Sequence, residues 1–274
     1  MMLRKITRIT TQKKQKHRYN IFLNTPAGDE YGFSVDEDIL IKFRLEKGME
    51  LDNELIKTLK EQDNLHKIYT LTIHFLSYRI RSEKEIIMYL QKKEVEDEQI
   101  AVIMQRLKKE KLLDDQQFAD MFVRSRMNTS SKGPKIIEQE LFEKGITGQI
   151  AANALEQYTP VLQKEKIQKL LGKKIKQTSK DSFQKQINQA KNMILQKGFN
   201  QQLVFAAIQT MDQEENADQE WEALKFQGEK LYHKHVKKYE GFQLKQKIME
   251  GLYRKGFRFD RIQQFVDVYI ENQE

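Results

Sequence analysis

The chain contains no cysteine, which excludes disulfides, thiol nucleophiles and cysteine-ligated metal sites. Proline occurs three times in 274 residues and glycine twelve times. That is too little of either for a collagen-like or low-complexity chain, and few turn formers for a many-stranded β protein. No stretch approaches the roughly 18 consecutive apolar residues of a membrane span, and the N-terminus lacks the apolar run of a secretion signal. A soluble, cytoplasmic protein is the expectation. Apolar residues are also scarce, at 39%, while charged residues reach 32%. A single thick globule buries a larger apolar share, so this balance favours a thin, extended architecture.

Acid is scarce in two places. The 48 Lys and Arg outnumber the 40 Asp and Glu, for a net charge of +8. Residues 1–28 hold seven basic side chains and no acid; residues 160–212 hold ten lysines and three acids. Such an excess suits a polyanion, whose condensed counterions are released on binding, although a solvated lysine-rich surface has the same composition.

The pattern changes near residue 60. Ile6, Ile9 and Thr11, then Tyr19, Ile21 and Leu23, alternate as β-branched and apolar strand residues do. Residues 24–29 have turn composition, residues 31–35 predict a third strand, and Asp36 opens a short helix stopped by Gly48. This outlines a small β-rich module over residues 1–60.

Beyond it the periodicity is helical and repeats. Residues 141–146 read LFEKGI, residues 194–199 ILQKGF and residues 252–257 LYRKGF; residues 90–95, LQKKEV, form a degenerate copy with Glu94 in the glycine slot. Aligned on Glu94, Gly145, Gly198 and Gly256, four columns are apolar throughout. They are Ile86, Ile137, Ala190 and Ile248; Leu90, Leu141, Ile194 and Leu252; Ile100, Ala151, Val204 and Ile262; and Met104, Leu155, Ile208 and Val266. Ordinary helical periodicity does not produce the recurring Lys-Gly-apolar mark. Glycine there fits a helix end in the left-handed conformation, with lysine facing the negative end of the helix dipole. Thr147, Asn200 and Asp260 are expected to cap the helices that follow, and Ser82 with Glu85 has capping-box spacing. A helix precedes each pair, at residues 68–78, 118–127, 164–175 and 229–239. The chain thus divides into three-helix repeats at 61–112, 113–159, 160–212 and 213–274, with the acidic stretch 212–222 at the last seam. Trp221 and Phe226 are expected to be packing residues. The fold class is mainly α: tandem three-helix repeats in an elongated, curved array behind a small β-rich module.

The inventory of reactive groups does not point to catalysis. His233 and His235, two apart, face opposite sides of a helix and cannot share a metal. The segment Gly133-Pro134-Lys135 lacks the strand, glycine run and Lys-Ser/Thr ending of a phosphate loop. Asp114 and Asp115 resemble a carboxylate pair, but suit the N-terminal charge of a helix starting near Gln116. No cofactor is indicated. Arg79 and Arg81 close one first helix and Arg124 and Arg126 the next, followed by Lys132 and Lys135. Arginine forks suit phosphates and carboxylates, and the six could form a binding stripe. Equally, they could serve as helix-end charge and pair with Glu83, Glu85 or Glu138. Lys173, Lys174, Lys176 and Lys180 read as a solvated face.

Residues 76–95 (LSYRIRSEKEIIMYLQKKEV) and 119–146 (ADMFVRSRMNTSSKGPKIIEQELFEKGI), with Leu112-Leu113-Asp114-Asp115 and Phe118 before the latter, resemble the RecX family of RecA modulators. The likeness is strongest over residues 66–158 and looser over 1–60 and 160–274. It implies tandem three-helix repeats and no catalysis. It also implies binding to RecA and along the groove of the RecA–ssDNA filament, where the family modulates, usually by inhibition, ATP hydrolysis, strand exchange and coprotease activity; direct DNA contact is implied less specifically. The rival reading is an independent DNA-binding protein whose repeats work as helix-turn-helix units. Against it, the helices after Gly145 and Gly198 carry no Arg or Lys. An in-line array predicts a radius of gyration by small-angle scattering above the roughly 18–19 Å of a compact 274-residue globule; a value at that compact limit would contradict the array.

Overall fold

The structure is a computed structural model describing residues 3–175, 179–211 and 217–270. Residues 212–216 of the acidic stretch and Lys176 lie outside the described residues. The chain forms two compact units, Met1–Phe118 and Ala119–Glu274.

The first unit opens with an antiparallel sheet of order β3-β2-β1-β4, built from β1 (Arg4–Thr11), β2 (Arg18–Thr25), β3 (Gly28–Asp36) and β4 (Glu50–Leu51). Alternation sends Ile6, Ile21, Leu23, Phe33 and Val35 to one face, where they form a buried core with Ile39, Leu45, Leu51 and Leu59. The expected helix at Asp36 is α1 (Glu37–Lys42), with the Asp36 side chain accepting from the Asp38 N–H. It ends before Leu45 and Gly48, because Arg44 turns the chain at φ +50°. Gly48 then lies in the turn that brings β4 alongside β1, its N–H donating to the Ile6 carbonyl. The two-residue β4 leaves no alternating pattern long enough to detect in the sequence.

Among the described residues there are thirteen α-helices. The first repeat comprises α2 (Asn53–Ser77), α3 (Glu83–Lys92) and α4 (Asp97–Lys109). Next come α5 (Asp115–Thr129), α6 (Pro134–Glu143) and α7 (Gly148–Glu156), then α8 (Pro160–Lys174), α9 (Phe183–Gln196) and α10 (Gln201–Gln209). The last set is α11 (Ala217–His235), α12 (Gly241–Arg254) and α13 (Phe259–Phe265), followed by a π-helical turn at Val266–Ile270. None is long and apolar enough to cross a membrane. The unit boundary falls one turn into α5.

Two first helices start earlier than their apolar periodicity suggests. Asp52 caps α2 through the Leu55 N–H, and the added turns carry Leu59 into the sheet core. Similarly, α11 begins at Ala217, so Asp218, Glu220 and Glu222 belong to its first turns. Acids there face the positive end of the helix dipole. Trp221 packs on the last repeat's core, whereas Phe226 is partly exposed beneath the Lys180 ammonium.

The repeat marks are helix ends of one kind. Gly145, Gly198 and Gly256 have φ of +85°, +82° and +86°, and Glu94 has +59°. After α6, the Gly145 N–H donates to the Phe142 carbonyl and the Ile146 N–H to that of Leu141; the same double closure follows α3 and α12. The first three apolar columns are buried in all four copies; in the fourth, Leu155 and Ile208 are only half-buried. Asn200 caps α10 through two N–H groups. Thr147 sits at its N-cap without using its side chain, and α13 is entered from Arg258, leaving Asp260 inside the first turn, paired with that arginine.

Repeats meet at the start of their middle helices. The Glu83 N–H of α3 donates to Asp115 Oδ1 of the next repeat at 2.9 Å, and the Phe183 N–H of α9 donates to Glu220 Oε2 at 2.6 Å. In α6 that first position is Pro134, which has no N–H. Gln163, the fourth residue of α8 as Glu220 is of α11, carries an uncharged amide instead. At this junction backbone packs on backbone: Gly133 N–H donates to the Lys197 carbonyl at 2.7 Å, and a Cβ on Gly133 would stand 2.5 Å from the Gly198 carbonyl carbon. Burial raises the pKa of both Asp115 and Glu220 despite the backbone N–H each accepts.

Gly198→Val forces a β-branched side chain to positive φ and onto Ile136, whose backbone N is 2.8 Å from the Cβ position, so a loss of at least about 1–3 kcal/mol is expected in a thermal melt. Glu94→Gly, relieving a strained residue, should gain about 0.5–1 kcal/mol. At the junctions, a raised folded-state pKa means stability is lost as pH climbs through it. Asp115→Asn and Glu220→Gln keep an acceptor without the charge; they should equal or exceed the parent's melting temperature at pH 7 and converge with it as pH falls below the carboxylate range. Asp115→Ala, stranding the Glu83 N–H, should cost about 1–3 kcal/mol at either pH.

Candidate interaction surface

The six cations singled out in the sequence occupy different local settings. α2 ends at Ser77, so Arg79 and Arg81 lie in the connection to α3. Arg79 makes a two-pronged bond to Glu85, at 2.9 and 3.0 Å. Arg81 lies 3.5 Å above the Phe75 ring centroid and donates Nε to the Phe75 carbonyl; Phe75 in turn stacks on Tyr89. Burial and the charge of Arg79 pull the Arg81 pKa below the ordinary arginine value.

Arg124 and Arg126 stand inside α5, which continues to Thr129. Arg126 crosses the Phe122 ring and donates to Glu140 at 2.8 Å; Lys132 holds the other Glu140 oxygen. Burial alone would raise the Glu140 pKa, but the hydrogen bond from Lys132 and the charge of Arg126 lower it. The carboxylate partner is thus Glu140 rather than Glu138, while Glu83 pairs with Lys108. Arg124 and Lys135 are exposed, and no ion pair ties either of them among the described residues. Four of the six cations are therefore oriented by internal partners, and two present free charge. Such partly exposed pairs contribute only about 0–1 kcal/mol each; their clearer effect is to fix where the guanidinium points. Lys173 and Lys174 are exposed at the end of α8.

The carboxylate pair separates in function. Asp114 accepts the Gln117 N–H, a local cap on α5, whereas Asp115 reaches across to α3. That second role needs a contact 32 residues away and leaves no local signature. Another pairing invisible in the sequence fastens β2 to α2. Arg18 donates two bonds to Asp63, at 3.1 and 2.9 Å, and Asp63 also takes the Asp36 N–H and the Lys67 ammonium. Burial opposes ionisation of Asp63, but these donors prevail and lower its pKa.

Among the described residues one His and carboxylate cluster has metal-like spacing: His66 Nε2 lies 3.3 Å from Asp36 Oδ1 and 3.8 Å from Asp38 Oδ2. Asp36 already caps α1, and Lys42 and Arg106 line the same hollow, so the cluster is accounted for as a cap held by a histidine.

A small antiparallel sheet followed by tandem three-helix units defines a helical-repeat protein. Family models match its segments in order: the regulatory protein RecX N-terminal domain over residues 4–52, and the first, second and third RecX three-helix domains over 69–107, 114–155 and 218–266. The α8–α10 triplet lies between the second and third of these. The chain is 62% identical over 272 residues to the regulatory protein RecX of Oceanobacillus iheyensis, covering 99% of this chain and 100% of that one. Over 262 residues it is 38% identical to that of Halalkalibacterium halodurans, covering 96% and 98%. A crystal structure of regulatory protein RecX superposes with a TM-score of 0.65 at 35% identity, over 73% of this chain and 96% of that one. The structure of RecX from Lactobacillus salivarius gives 0.52 at 36%, over 54% and 96%. The chain belongs to the RecX family of regulatory proteins.

Proposed function

We propose that this protein regulates RecA: it binds RecA and the RecA–ssDNA filament in the cytoplasm and lowers the filament's ATPase, recombinase and coprotease activities without catalysing a reaction, in DNA repair and the SOS response. The observation that carries this reading is full-length identity to proteins named regulatory protein RecX, 62% over 272 residues. The surface fits a partner rich in phosphate or carboxylate. Within the second unit Arg124 and Lys135 offer free charge, and Arg126 and Lys132 are held in place by Glu140; in the first unit Arg79 and Arg81 are held by Glu85 and Phe75.

The alternative, a DNA-binding protein acting alone through its repeats, is disfavoured by the third helices. α7 and α10 carry no Arg or Lys, and in α4 the Arg106 and Lys108 side chains are drawn to Glu110 and Glu83. The deciding assay is RecA's DNA-dependent ATPase with this protein added substoichiometrically. A fall in rate is expected; an unchanged rate together with no filament binding rejects the proposal. In a filament-binding titration Arg124→Glu with Lys135→Glu should weaken binding severalfold while leaving the melt unchanged, since no ion pair ties either side chain among the described residues. Unchanged binding would remove these two cations from the interface.

A further inference from the structure

The N-terminal sheet has a second face, which the core does not use. On β2 the buried Ile21 and Leu23 flank Phe22, so alternation turns the Phe22 ring away from the core. The strand registers pair Arg8 with Phe22 and Phe22 with Tyr31, which sets the three side chains in one row across β1, β2 and β3. Both strand pairings slip at this row, between Ile6 and Arg8 and between Ile21 and Phe22; bulges of this kind re-aim side chains and recur beside functional sites. The guanidinium of Arg8 lies 4.1 Å above the Phe22 ring centroid, and Tyr31 meets Phe22 edge-on at 6.1 Å. Tyr31 is 57% exposed, a large aromatic surface left in water.

Charge lies beside this row. The turn from β1 to β2 carries Lys13, Lys14 and Lys16, all exposed, and no ion pair ties them among the described residues. Thr11, where the turn begins, is three residues from Arg8, about 10 Å along the strand. Glu37 is taken by His17, while Asp29 and Glu30 directly precede Tyr31 at the start of β3, so the acids border the row at the end away from the lysine turn.

From these features we infer that the outer face of the sheet is a single-stranded nucleic-acid platform, on which unpaired bases stack against Tyr31 and the Arg8 guanidinium while Lys13, Lys14 and Lys16 take the phosphates. Aromatic planes with interleaved cations are how sequence-tolerant single-strand binders work, because every base has a π-face and every linkage a charge. A paired duplex hides its base faces and gains only the charge contacts. The inference does not rest on any action on RecA, and its test omits RecA.

The test is fluorescence anisotropy of the full chain with labelled oligo(dT), oligo(rU) and a duplex of equal length. Single strands should bind more tightly than the duplex, and the oligo(dT) and oligo(rU) arms show whether DNA or RNA is preferred. Tyr31→Ala should weaken single-strand binding about five- to 100-fold, and Tyr31→Phe should restore it. Reversing Lys13, Lys14 and Lys16 to Glu should weaken binding and lower the salt slope by about 2, from roughly 0.7 per phosphate contact. Circular-dichroism melts of the variants should match the parent, since all four positions are exposed. Preference for the duplex overturns the platform. So does single-strand binding indifferent to both Tyr31→Ala and the lysine reversal, or a Tyr31→Ala defect that appears only when RecA is present, which would make the face a protein surface.

Discussion

Each repeat turns on one backbone position held at positive φ. At Gly145, Gly198 and Gly256 the middle helix is stopped, its last carbonyls accept from the glycine N–H and, after Gly145 and Gly256, from the next N–H as well, and the following apolar residue folds back into the core. Ile146, Phe199 and Phe257 are each at most 2% exposed, so the cap and the core are one event. Without the left-handed residue the helix has no stop, the apolar residue misses its pocket, and the third helix starts in the wrong direction. Glu94 shows that the geometry, not the glycine, is what the fold requires. A residue with a Cβ is held in the same conformation at an energetic cost, offset by Val95 closing on the Leu90 carbonyl and packing beside the first repeat's core.

Between repeats, a second solution is varied rather than copied. Two middle helices start with a free N–H, and each meets a carboxylate from the next repeat. The third starts with proline and has no donor to offer; Gln163, at the comparable place in the next repeat, turns its amide to the Tyr158 carbonyl instead. The carboxylates remain despite the cost of burial because an unpaired N–H in the same position would be worse. Pro134 removes the need and permits the backbones of Gly133 and Gly198 to meet so closely that neither position has room for a Cβ.

The repeat architecture was readable because it is local. The four apolar columns, the Lys-Gly mark and the Ser82 and Asn200 caps are each set by residues within a turn or two. What escaped needs distance. Asp115 looked like ordinary helix-start charge, since its neighbour Asp114 does fill that role and nothing nearby announces the Glu83 N–H. Arg18 and Asp63 are separated by 45 residues. The beginnings of α2 and α11 were missed for a different reason. Their first turns are polar or pack on something other than the repeat, so the periodicity that marks the repeats does not reach them. Of the six cations, the sequence shows which are arginine, but not that Glu85 and Glu140 would occupy three of them and Phe75 a fourth.

The 25-residue α2 belongs to two cores at once. Leu59 is buried under the sheet and Ile68 within the first repeat; nine residues of helix separate them by about 13 Å and by about half a turn, so they look in opposite directions. Arg18 clamps the sheet to this helix through Asp63, between those two points. The sheet is therefore mounted on α2 like a bracket on a shaft, with no swivel between it and α3 and α4. Anything held on the exposed row of Arg8, Phe22 and Tyr31 is aligned at a set angle to the first repeat, and lengthening α2 by a single residue would turn that angle by about 100°.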